Sequence, residues 1–137
     1  MNRTIEYNKY FFMVLACAGL LSACSLYQVN SDYTSNEFYP PKETVGQVIY
    51  LETVDRPHQV LGSVTVNVER HQKLSNILER MKREAAILGG DAVSNIRTNT
   101  GTGKWAQIKP KELFGNANVR SNYVADVIVF DGTASEK

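Results

Sequence analysis

The chain has 137 residues, with 15 Lys and Arg against 14 Asp and Glu, two cysteines and one tryptophan. So even a balance of charge offers no basic field for nucleic acid, and none is expected as a partner. The length suits one domain of ordinary size and leaves little room for a second.

Residues Met1 to Lys9 carry Arg3 and Lys9 against Glu6, and Tyr10 to Leu21 then run apolar and small, YFFMVLACAGLL. That run is shorter than the roughly 20 apolar residues a membrane-spanning helix needs, whereas a charged start and a small-residue end suit a secretory signal. Leu21-Ser22-Ala23-Cys24 follows, and it resembles the lipobox of bacterial lipoproteins. The resemblance implies that residues 1–23 are a cleaved signal peptide. Cys24 then opens the mature chain, with a diacylglyceryl thioether and usually an acylated amine. A plain secreted protein or an uncleaved anchor are the alternatives. Each buried methylene contributes about 0.8 kcal/mol, so two or three acyl chains make a durable anchor without a spanning helix. Ser25 stands where an aspartate resembles the inner-membrane retention signal of Gram-negative lipoproteins. The resemblance therefore implies the outer membrane, facing the periplasm. Processing removes Cys17 and lipidates Cys24, so no disulfide is expected in the mature domain, which holds 13 basic and 13 acidic residues. Attachment then comes from the acyl chains, and no cofactor beyond that covalent lipid is expected.

From Ser25 the text is SLYQVNSDYTSNEFYPPKET, without apolar periodicity and closing on Pro40-Pro41. Residues 24–45 are accordingly expected to form a lipidated start and flexible tether, with a reach of roughly 65 Å if extended. Tyr27, Tyr33, Phe38 and Tyr39 fit a pure spacer poorly. They are expected either to pack loosely on the domain or sit near headgroups, or to form a docking motif. One α+β domain is expected over residues 46–131, with a disordered tail at 132–137.

Gln47–Thr53 and Val60–Val68 are rich in β-branched residues, and Val64, Val66 and Val68 alternate with Ser63, Thr65 and Asn67. These patterns predict two strands, joined by VDRPHQ into an antiparallel hairpin. Leu74, Ile77, Leu78, Met81, Ala85 and Leu88 share one helical face, Glu79 can pair with Arg83, and Gly89-Gly90 supplies a stop. An amphipathic helix on a lipoprotein could lie on the membrane, but its polar face mixes both signs, which favours packing on a sheet. Asp91–Thr98 and the apolar Asn122–Phe130 complete the strands. The expected fold is α+β, a small mixed sheet of about four strands in β-β-α-β-β order with the helix on one face. A right-handed parallel crossover joins Val60–Val68 to Asp91–Thr98.

Met81 to Ile96, MKREAAILGGDAVSNI, follows a valine-rich strand containing Leu61-Gly62-Ser63-Val64. It resembles the YbjQ-like domains once labelled heavy-metal-binding and the periplasmic domain of the Rcs-pathway envelope-stress lipoprotein. Ala85, Leu88, Gly89, Asp91, Ala92 and Val93 occupy the motif positions, with Gly90 where alanine is usual. The resemblance implies the architecture of residues 46–130 and an envelope protein that works by contacting others. It departs from the Rcs sensor in having no disulfide, and from the metal label in having no Cys or His cluster.

Catalytic chemistry has little to stand on. Thr100–Trp105, TGTGKW, breaks the phosphate-loop pattern at both ends, with Thr98 where its first glycine and Trp105 where its Ser or Thr should be. His58 and His71 lie 13 apart, outside metal-ligand spacing, and no nucleophile elbow surrounds any serine. No enzymatic activity and no metal site is therefore expected. The long excursion Asn99–Ser121 is the segment a small fold least requires. Trp105–Lys109 can form a short extra strand in it. Trp105, Phe114, Lys109, Lys111 and Arg120 are candidate partner-binding residues, because aromatic and arginine side chains supply most hot spots. Trp105 and Phe114 either face a partner or cap the open side of the sheet. The leading expectation is a lipid-anchored envelope protein whose periplasmic domain binds or senses another envelope component, of a protein-interaction or stress-signalling type; the alternative is a small-ligand or metal-binding lipoprotein of the YbjQ-like class.

Overall fold

Apolar residues recurring at helical spacing from Leu74 onward form helix α1, Leu74–Ile87. The architecture, a computed structural model, describes residues 27–69, 71–99, 104–109, 113–117 and 121–132. Leu74, Ile77, Met81, Ala85 and Ala86 are buried against the sheet, with Leu78 and Leu88 partly buried beside them. The helix stops where expected. Gly89 takes φ +83°, its N–H donates to the Ala86 carbonyl at 3.1 Å, and the Gly90 N–H donates to that of Ala85 at 2.8 Å. These two bonds are the paired closure of a Schellman cap. A Cβ at Gly90 would come 2.4 Å from Val127 Cγ1, so packing disfavours the alanine usual in the resembling motif. Glu79 approaches Lys82 at 4.0 Å, an i,i+3 neighbour, rather than the expected Arg83.

Among the described residues six strands form one sheet: β1 Tyr27–Tyr33, β2 Ile49–Leu51, β3 His58–Val68, β4 Ala92–Asn99, β5 Trp105–Gln107 and β6 Ser121–Phe130. Their order is β1-β3-β6-β4-β2, with β5 also beside β4. The α+β class holds, with six strands in place of about four. β6 is antiparallel to both β3 and β4, so those two run parallel, one strand apart, with the helix between them in the chain. The expected hairpin does not form. β2 instead pairs parallel with β4, from Ile49 opposite Ala92 to Leu51 opposite Ser94. The short spacing to β3 suggested a partner in sequence, but the Ile49 N–H donates to the Asp91 carbonyl at 3.1 Å on the far edge.

The expected tether is also corrected. Its residues 27–33 are β1, paired antiparallel with β3 from Tyr27 opposite Val68 to Tyr33 opposite Gly62. Tyr27 is only 7% exposed; its hydroxyl donates to Gln72 Oε1 at 2.6 Å and the Arg80 guanidinium lies 3.7 Å above its ring. Burial of an aromatic ring of this size stabilises by about 2 kcal/mol, which ties the first described residue to the core. At the other end of β1, β3 has a bulge between Val60 and Gly62, at Leu61, whose carbonyl is an acceptor for the chain beyond β1. The Thr34 and Ser35 N–H groups both donate to it, at 2.8 and 3.0 Å.

Residues 34–48 then form a strap past the C-terminal end of α1, carrying the chain from the β1 edge to the β2 edge. The Lys42 N–H donates to the Ala86 carbonyl at 2.8 Å, and Lys42 Nζ meets Asp91 Oδ1 at 2.6 Å. Asp91 Oδ2 accepts the Phe130 N–H at 2.9 Å. The aspartate of the motif thus joins strap, helix end and β6, a fold role. Tyr39 packs on the core, and its hydroxyl donates to Glu37 Oε2 at 2.8 Å; that bond, with desolvation and the Glu37 charge, raises its pKa. Tyr33 donates to the Glu37 carbonyl, while Phe38 stays 84% exposed.

Candidate functional site

The register brings one set of chain positions to a common end of the sheet. Tyr27 lies opposite Val68, Val68 opposite Ser121, and Asn99 opposite both Asn122 and Trp105. The start of α1 follows β3 there, so this end gathers the first described residue, the helix N-terminus and Trp105.

Trp105 opens β5 and is 49% exposed, while Ile108, three residues on, is buried and donates its N–H to the Ile96 carbonyl at 2.9 Å. The extra strand expected over Trp105–Lys109 is therefore present as Trp105–Gln107. Residues 113–117 are stitched to the stretch before α1. The Leu74 N–H donates to the Gly115 carbonyl at 3.1 Å, the Ala117 N–H to that of Gln72 at 2.6 Å, and Lys73 bridges Asn116. His71 Nδ1 lies 3.1 Å from the Ala117 carbonyl. Leu113 and Ala117 pack inward, which leaves Phe114 between them 94% exposed. Phe114 thus covers no part of the sheet, and Trp105 is half covered. Lys109 is exposed two residues beyond β5; Cys24, Lys111 and Arg120 lie outside the described residues.

The opposite end holds a cleft of about 300 Å³ lined by residues that include Glu52, His58, Val60, Ser94 and Asp126. A bulge between Ser94 and Arg97 puts Asn95 at φ +51°, a region asparagine enters more readily than most side chains. There Asn95 Nδ2 donates to Asp126 Oδ2 at 2.7 Å, and Arg97 Nη2 to Oδ1 at 2.6 Å. Both carboxylate oxygens are engaged, so the group serves to hold the bulge closed. His58 Nδ1 sits 2.8 Å from the Arg56 carbonyl, and Arg56 itself lies 4.1 Å over the Phe130 ring. Among the described residues no three His, Cys, Asp or Glu side chains gather as metal ligands. His58, beside Phe130, and His71, beside Ala117, stand at opposite ends of the sheet. The Asn95–Arg97–Asp126 group had no sequence signature beyond an asparagine able to take a left-handed bulge.

What these features define is an α+β domain with exposed aromatic side chains, Trp105 and Phe114, at one end of its sheet. Its fold is similar to the crystal structure of FvfA, a Francisella virulence factor, at 14% sequence identity and a TM-score of 0.51, over 77% of this chain and 99% of that one. No family model and no curated protein matches the chain.

Proposed function

We propose that this is a lipid-anchored cell-envelope protein, held on the outer membrane through acyl chains on Cys24, whose domain binds or senses another envelope component. The exposed Phe114 carries the reading. Its ring is left outward by the backbone bonds at Gly115 and Ala117 that follow it and by the inward packing of Leu113 before it, and an aromatic left in water forgoes about 2 kcal/mol that burial against a partner recovers. Trp105 at the same end adds the residue type most enriched in binding hot spots. The lipobox resemblance at Leu21–Cys24 supports the anchor, and the resemblance of Met81–Ile96 to envelope domains supports a contact role over catalysis. A photo-crosslinking side chain in place of Phe114, in cells, is expected to capture an envelope lipid or protein. No adduct, or adducts confined to cytoplasmic proteins, contradicts the proposal.

A further inference from the structure

The geometry points to the bilayer surface itself as what Trp105 and Phe114 contact: this end of the domain lies against the membrane that holds the anchor. The inference rests on the proposed lipidation of Cys24 and names the partner of the aromatic surface.

Chain length carries the first step. Cys24 stands three residues before Tyr27, and three residues span at most about 11 Å. The headgroup layer between acyl chains and water is itself about 6 Å thick. Tyr27 is not free to drift from that layer, because its ring is buried, its hydroxyl bonded to Gln72 and its backbone paired with Val68. A 20-residue tether would let the domain tumble at a distance; a strand beginning at Tyr27 does not.

Position carries the second. Tyr27 is on the β1 edge, and Trp105 begins β5 on the far side of β4, four strands away in the order β1-β3-β6-β4-β5. At about 4.8 Å per strand this separates them by roughly 19 Å at the same height. Phe114 belongs to the segment bonded to the start of α1, in the helix layer and so off the sheet plane. Tyr27 and the two exposed rings thus mark three corners of one end. Tryptophan is enriched where headgroups meet hydrocarbon. Exposed Lys73 and Lys104 stand beside Phe114's segment and Trp105, where an anionic leaflet attracts them.

Because the chain has a single tryptophan, its fluorescence reports on Trp105 alone. The test uses the full lipidated protein in phosphatidylethanolamine–phosphatidylglycerol vesicles, with and without brominated acyl chains. Trp105 is expected to lose about half of its emission to bromine, as an interfacial indole does. Inserting about 16 Gly and Ser residues between Leu26 and Tyr27, a reach of roughly 22 Å, should restore most of it while the protein still floats with the vesicles. Flotation without quenching overturns the inference and leaves the anchor standing, as does a Phe114 crosslink to protein alone. Equal quenching with the insertion also overturns it, because the short link to Tyr27 is then not what holds this end at the bilayer. Failure to float overturns the lipidation reading, and this inference with it.

Discussion

Gly62→Val is expected to release β1 from the sheet and to lower stability by about 3 kcal/mol, near the upper end of overpacking costs. A Cβ at Gly62 would stand 1.9 Å from the Asp32 carbonyl oxygen, 2.9 Å from its carbon and 3.1 Å from Tyr33 Cα. All three are backbone atoms of the neighbouring strand, so no rotamer change relieves the overlap. Either β1 moves away or the bulge at Leu61 reorganises, and each loses the bonds that Thr34 and Ser35 donate there. Hydrogen exchange separates this from a general loss of stability, since amides of residues 27–33 should lose protection first while those of β6 keep theirs. Gly46→Ala is the control. Its nearest atom would be Thr44 Oγ1 at 3.9 Å, and denaturant midpoints should barely shift.

Gly89→Ala should cost a similar amount for two separable reasons. The residue holds φ +83°, where an L side chain is disfavoured by about 1–2 kcal/mol. Its Cβ would also meet the Tyr39 carbonyl oxygen at 2.6 Å, Tyr39 Cβ at 2.7 Å and the Pro40 oxygen at 2.8 Å. Asparagine tolerates the left-handed region but brings the same Cβ. Gly89→Asn should therefore recover only the backbone part, leaving a deficit of about 2 kcal/mol from displacing the strap. Full recovery in urea titrations would mean that the strap yields freely and that residues 34–48 contribute little.

These glycines also mark how far the residues alone could be read. The glycine cap was legible as a helix stop, and Gly62 as part of a motif, but what presses against each was not, because both neighbours come from a segment with no strand pattern. In β1, YQVNSDY, only Tyr27 is buried and Val29 packs on the core. An edge strand with one solvated face needs so few apolar residues that alternation disappears. β3, β6 and α1 were legible because each covers a buried face along most of its length. The β2 pairing was not, since three residues carry no register of their own and the strap decides which edge they reach. At the aromatic end the residue types were readable from composition. Their exposure depended on Ile108, Leu113 and Ala117 turning inward, which follows from contacts distant in sequence. The Asp126 group was hidden in the same way, as its partners sit across a bulge.

The account depends most on the thioether at Cys24, and mass spectrometry of the N-terminal peptide from protein extracted from its native envelope tests it directly. The expected peptide begins at Cys24 and carries a diacylglyceryl group, with an acyl chain on the amine. A peptide beginning at Met1, or an unmodified thiol at position 24, would contradict the anchor and the orientation derived from it.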